Sequence, residues 1–165
     1  MTLRFTSLLL LVALTVDAQV IPHPEAHAHN DYEHERPLRD ALKFGFTTIE
    51  ADVFVHNSEL LVSHNQPGPG APTLDALYLK PLDSLLAAQH GSVYPGYEGK
   101  CLLMIDFKTA AAPTYEALLS ALQKYPRIVQ SLQQDGQLQL FISGNRPVTQ
   151  VRGSNVATWC PGWQA

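Results

Sequence analysis

Hydrophobic positions along the chain fall into two alternating patterns, dense short runs and spaced amphipathic stripes. The run at 46–55, Phe-Thr-Thr-Ile-Glu-Ala-Asp-Val-Phe-Val, is rich in β-branched and aromatic residues and predicts a strand. The run at 101–108, Cys-Leu-Leu-Met-Ile-Asp-Phe-Lys, is almost continuously apolar, as in parallel strands buried on both faces. Residues 137–142 predict another strand. A short one at 59–64 follows a turn at 56–58. Near the start, a Pro-containing lead-in at 20–28 runs into a short strand ending near His29. Between these runs lie helical stripes. Pro37 sits at a first-turn position, Leu38, Ala41 and Leu42 share a face, and Gly45 supplies a stop. A weak helical segment begins at Thr73 and a short helix covers 81–88. Residues 114–125 form an amphipathic helix with Leu118, Leu119 and Leu122 inward. The Pro- and Gly-rich stretch at 66–72 reads as an exposed loop, and the tail to Ala165 as irregular. No internal repeat is visible. Strand and helix alternate, which predicts an α/β fold built on a parallel sheet.

Composition narrows the function classes. The chain has 165 residues, a one-domain length, and 45% of them are hydrophobic, enough for a packed core. The net charge is −4 and there is no basic run, so no nucleic-acid partner is expected. Residues 1–18 read as a signal peptide. Arg4 precedes an apolar stretch at 7–16, and Val16-Asp17-Ala18 offers a cleavage site before Gln19. That stretch is shorter than the roughly 20 apolar residues of a spanning helix. The expectation is a secreted or periplasmic protein with no transmembrane segment after signal removal. Export would allow Cys101 and Cys160 to pair, but two cysteines without framework spacing favour two unpaired thiols.

The chemistry concentrates at the C-terminal ends of the expected strands, where parallel α/β folds bind ligands. His27, His29, Asn30 and Asp31 end the first, Glu50 and Asp52 the second, with His64 just beyond, and Asp106 and Lys108 the third. Residues two apart on a strand face the same way, so Glu50 and Asp52 converge from an otherwise apolar segment. Two unpaired carboxylates there are costly. A hard divalent cation, Mg²⁺ or Ca²⁺, relieves that cost, with Asn30 and Asp106 completing an oxygen shell. The competing reading is a solvated strand end. His29 and His64 are the candidate proton-transfer groups, because an imidazole titrates near neutral pH. His27 alternates with His29 and shares its inward face. Lys108 shares a face with Asp106 and either holds a phosphate oxygen as a point charge or pairs with Asp106 or Glu50. His23 and His34 read as structural.

His-Asn-Asp-Tyr at 29–32, Gly-Phe-Thr-Thr-Ile-Glu-Ala-Asp-Val at 45–53 and Leu-Leu-Val-Ser-His at 60–64 together resemble the phospholipase C-like phosphodiesterase superfamily. Within it, the chain resembles the altered inheritance of mitochondria protein 6-like proteins and their bacterial secreted homologues. Glycerophosphodiester phosphodiesterases and phosphatidylinositol-specific phospholipases C resemble it more distantly. The resemblance runs over 26–108, and more loosely over 141–152. It implies a TIM barrel and phosphodiester hydrolysis of a small phosphodiester or lipid head group. It also implies catalytic roles for His29 and His64 and cation ligation by Asn30, Glu50, Asp52 and Asp106. Lys108 would contact a substrate phosphate; His27, placed beside His29 by the strand alternation, is a further candidate for substrate contact. Departures are Asp106 where many members carry Glu, Asn65 where Asp often follows the second His, and the absence of a His-Arg-Gly start.

A full barrel takes about 250 residues. Residues 19–165 accommodate four to five strands, so the expected architecture is the N-terminal portion of a TIM barrel. Two rival readings remain: a catalytically inactive remnant, or an exported metal- or ligand-binding protein on another α/β scaffold.

Overall fold

A computed structural model describes residues 19–152. The expected signal peptide at 1–18, and Cys160 with the rest of the tail, lie outside the described residues. Five strands form one sheet: β1 (His23–Ala28), β2 (Phe46–His56), β3 (Glu59–Val62), β4 (Cys101–Phe107) and β5 (Leu138–Gly144). β1, β2, β4 and β5 run parallel in that order, and β3 folds back antiparallel on the end of β2. The β2–β3 turn has both central residues, Asn57 and Ser58, at positive φ (48° and 66°), the twist that suits a two-residue hairpin. The helices are α1 (Arg39–Lys43), α2 (Lys80–Ala88), α3 (Ala111–Leu122), α4 (Pro126–Gln133) and α5 (Val148–Arg152). None among the described residues is long and apolar enough to cross a membrane.

Strand periodicity sorts the side chains onto two faces. Ile49, Ala51 and Val53 of β2, Leu103, Ile105 and Phe107 of β4, and Leu138, Leu140 and Ile142 of β5 are buried in one core with Leu82 and Leu86 of α2, Leu118 and Leu122 of α3 and Ile128 of α4. The opposite face carries Thr48, Glu50 and Asp52, then Leu102, Met104 and Asp106, then Phe141 and Ser143. Its lower part is apolar: Thr48, Leu102, Met104 and Phe141 line an open cavity of about 390 Å³ with Glu25, Ala26 and His27. Its upper part, at the C-terminal strand ends, is polar. Among the described residues the sheet does not close. The architecture is therefore the mixed α/β fold expected from the alternation of strands and helices, and it is consistent with the partial TIM barrel that the resemblance implies.

Several elements differ from the sequence reading. α4 lies in a stretch without an assigned element, and α5 lies in the supposedly irregular tail. The helical segment from Thr73 and the helix at 81–88 are one continuous rod, because a π-helical turn at Asp75–Leu79 runs directly into α2. Pro81 lies inside this rod, directly after the π-helical turn, so the residue without a ladder N–H follows the point where the helix widens. Gly45 ends α1 as expected, with φ 77° and so little room that a Cβ would stand 2.2 Å from the Ile21 carbonyl oxygen.

Candidate active site

The strand-end loop after β1 is held by a buried carboxylate. Asn30 turns the chain in a left-handed conformation (φ 48°), and a short 3-10 turn, Asp31–Glu33, follows. Asp31 is fully buried. Its Oδ2 accepts hydrogen bonds from the Leu38 backbone N–H at 2.5 Å and the Tyr78 hydroxyl at 2.9 Å. This ties the turn to the start of α1 and to the helical rod, and so sets His29, Asn30 and Tyr32 above the sheet. Asp31, grouped by sequence with the chemical residues, is thus a structural anchor.

Burial raises the Asp31 carboxyl above its ordinary range, against the opposing pull of the Leu38 and Tyr78 hydrogen bonds. The fold therefore binds this proton more tightly than the unfolded chain does. The resulting stability is fully present below about pH 4 and is lost as pH rises through the raised value. Urea unfolding of the wild type, taken relative to Asp31→Asn, is expected to show stability falling as pH rises from about 4. A flat difference, or one of opposite slope, would contradict this account of Asp31.

Two clusters stand on the polar face. In the first, Glu50 Oε2 is 2.8 Å from His27 Nε2 and 3.8 Å from His29 Nε2. The Glu50 side chain is mostly buried, whereas His29 projects into solvent with 70% of its side chain exposed. In the second, Asp52 Oδ2 accepts a hydrogen bond from the Tyr32 hydroxyl at 2.9 Å and lies 3.0 Å from Lys108 Nζ and 3.3 Å from His64 Nδ1. Asn30 Nδ2 stands 3.5 Å from the same His64 nitrogen. Asp106, directly beside Asp52 in the β2–β4 register, pairs with Lys108 Nζ at 2.6 Å. It also accepts a 2.5 Å hydrogen bond from the Ser143 hydroxyl on β5.

Adjacent parallel strands thus present neighbouring carboxylates, and the Lys108 ammonium bridges them. Partial burial works against charge on that ammonium, but Asp106 and Asp52 outweigh it, and the net effect holds the lysine above its ordinary range. Burial, then the bond to Asp52, pushes the Tyr32 hydroxyl well up, so it remains a donor. The loop after β4 is fixed by hydrogen bonds from the Lys108 N–H to the Val53 carbonyl and from the Val55 N–H to the Thr109 hydroxyl, both at 2.9 Å. Gly144 keeps the β5 end close: a Cβ there would meet the Phe107 carbonyl oxygen at 2.5 Å and Asp106 Oδ1 at 2.9 Å.

The residues singled out by sequence therefore gather at one end of the sheet, on the face away from the helices. Glu50 takes His27 and His29; Asp52 takes Lys108 and His64; Asn30 faces His64. Tyr32 and Ser143 were missed. Tyr32 closes the His-Asn-Asp-Tyr motif, and Ser143 lies one residue past the expected strand at 137–142. Its only signal was that strand's phase, which turns it to the same face as Phe141. Among the described residues no three His, Cys, Asp or Glu side chains already stand as a metal cage. Yet Asp52 Oδ1 is buried without any hydrogen-bond partner. Oδ1 of the structural Asp31 is bare in the same way, so the fit to a hard cation rests on the donor set, the carboxylates of Glu50, Asp52 and Asp106 on adjacent strand ends.

The family model of the AIM6-like phosphodiesterase domain matches residues 14–155. Altered inheritance of mitochondria protein 6 from Kluyveromyces lactis is 31% identical over 171 residues, covering 82% of this chain and 40% of the relative. The protein of that name from Eremothecium gossypii is 35% identical over 158 residues, covering 86% and 39%. A homologue from Arthroderma benhamiae is 32% identical over 124 residues, covering 63% and 39%. The chain thus spans about two fifths of the length of these curated relatives. No solved structure matches it. The match across most of the chain, with His29, Glu50, Asp52, His64 and Asp106 gathered at the strand ends, makes this chain a member of the AIM6-like phosphodiesterase family.

Proposed function

We propose that the strand-end cluster is the centre of a divalent-cation-dependent phosphodiesterase, which hydrolyses a glycerophosphodiester or phospholipid-like head group outside the cytosol. The observation that carries the reading is the meeting of Glu50, Asp52 and Asp106 with Lys108, His29 and His64 on adjacent strand ends, with Asp52 Oδ1 left buried and unpartnered. Glu50, Asp52, Asp106 and the Asn30 amide oxygen are the groups that would hold the cation. When bound, Mg²⁺ or Ca²⁺ would neutralise charge developing on the phosphoryl oxygens.

The chain's own side chains perform the remaining steps. One of His29 and His64 accepts a proton from the attacking water as its oxygen bonds to phosphorus. The other, as imidazolium, gives a proton to the leaving alkoxide as the phosphorus–oxygen bond breaks. Both rings are exposed enough to meet substrate, and each has a carboxylate behind it, Glu50 at 3.8 Å and Asp52 at 3.3 Å. Lys108, whose ammonium stands 3.0 Å from Asp52 and 2.6 Å from Asp106, would offer a point charge to a phosphate oxygen. His27 holds Glu50 and also lines the apolar cavity below the strand ends.

A second reading is binding without turnover. It is favoured by His29, whose side chain is 70% exposed and stands 3.8 Å from Glu50, beyond hydrogen-bond reach. Hydrolysis of bis(4-nitrophenyl) phosphate, with Mg²⁺ or Ca²⁺ and then with chelator, separates the two. Turnover that chelator removes and added cation restores supports the enzyme. Cation binding without turnover supports the second reading.

A further inference from the structure

We infer that Tyr32 is a positioning residue, whose hydroxyl fixes the rotation of the Asp52 carboxylate so that Oδ1 is the oxygen presented to a cation. This rests on the cation reading of the site given above. Asp52 divides its two oxygens unequally. Oδ2 accepts from the Tyr32 hydroxyl at 2.9 Å and faces Lys108 Nζ at 3.0 Å and His64 Nδ1 at 3.3 Å. Oδ1 has no partner although it is buried.

A carboxylate turns easily about its terminal torsion, so its contacts decide which oxygen is free. The three groups on Oδ2 differ in how firmly they are held. Lys108 and His64 sit at the rim, with 30% and 52% of their side chains exposed, and both have other work in the proposed reaction. Tyr32 is tethered at both ends. Its backbone follows Asp31, which Leu38 and Tyr78 pin, and its ring packs against the core. When Lys108 and His64 turn to substrate, the Tyr32 hydrogen bond remains to hold Asp52. A hydroxyl also neutralises no charge, so it orients the carboxylate without competing for the cation's electrostatic role.

The test is Mn²⁺ binding, followed by electron paramagnetic resonance of the free ion, to the full chain and to its Tyr32→Phe and Tyr32→Gln variants. Phe keeps the ring and removes only the donor; Gln keeps a donor on a different frame. Partners that orient metal ligands are worth about 10–100-fold in metal affinity, so Tyr32→Phe is expected to bind Mn²⁺ about tenfold more weakly. Tyr32→Gln should recover part of the loss. The thermal midpoint without metal should stay near that of the wild type. In turnover, the concentration of cation needed for half activity should rise by a similar factor, with kcat at saturating cation changing less. The inference is overturned if Tyr32→Phe binds Mn²⁺ as tightly as the wild type, or if its loss of binding only tracks a loss of folded protein. A wild type that binds no Mn²⁺ would overturn the cation reading as well.

Discussion

His29→Ala and His64→Ala are each expected to lower phosphodiester turnover by about 10²–10⁴-fold, the usual contribution of a positioned acid or base. Neither ring is needed for the fold. His29 is 70% exposed and meets Glu50 only at 3.8 Å, a gap that His27, at 2.8 Å, already fills. His64 is 52% exposed on the loop after β3 and shares Asp52 with Tyr32 and Lys108. Removing either ring should thus leave thermal stability within about 0.5 kcal/mol, as for other surface substitutions, and should leave cation affinity nearly unchanged. Added cation should restore neither variant. A pair of variants that keep turnover, or that lose it only along with folded structure, would remove these two residues from the chemistry.

Asp52→Asn is expected to act differently and almost as severely. Asp52 is 1% exposed and is where Tyr32, Lys108 and His64 converge. The amide keeps the shape but removes the charge that attracts a hard cation, and it places a donor among donors. Cation affinity should fall by at least about tenfold, and turnover at limiting cation should fall with it. Lys108 keeps Asp106 at 2.6 Å, so the ammonium is not stranded and the fold should persist. Raising the cation concentration should recover part of the activity of Asp52→Asn and none of that of His64→Ala. If excess cation treated the two alike, the division between holding the ion and moving protons would be wrong.

Much of this was readable from the residues, for identifiable reasons. β2 and β4 were legible because their apolar content is dense and their acids stand at fixed phase. Glu50 and Asp52 necessarily face away from Ile49, Ala51 and Val53, and the buried core takes those three. β1 was harder. His23, Pro24, Glu25 and His27 are poor strand formers, and β1 exists through its parallel pairing with β2, with an irregular register between His23 and His27. α4 escaped because Pro126 follows the preceding helix so closely that one amphipathic stretch looked finished. Its apolar positions Ile128 and Leu132 recur at helical spacing, and Ser131 hides on the same face through paired hydrogen bonds with the Leu138 backbone.

The candidate site divides in the same way. Residues whose chemistry needs a strand end, such as Asp52 and Asp106, announce themselves by breaking an apolar run. Residues that work through another side chain do not. Tyr32 reaches Asp52 across 20 positions, and Ser143 reaches Asp106 across 37. Nothing local in either segment marks those contacts. Asp31 shows the reverse error: a carboxylate beside His29 and Asn30 looks chemical, yet it spends its hydrogen bonds on Leu38 and Tyr78.

The central claim is that a divalent cation sits among the carboxylates at the strand ends and that the phosphodiesterase chemistry is organised around it. Anomalous diffraction from crystals of the protein grown with Mn²⁺ tests this most directly. The account predicts one strong peak within coordination distance, about 2.0–2.6 Å, of oxygens from Glu50, Asp52 and Asp106, with Asp52 contributing Oδ1 and with Lys108 turned away from it. No peak at the strand ends at saturating Mn²⁺, with Lys108 still bridging Asp52 and Asp106, would contradict it.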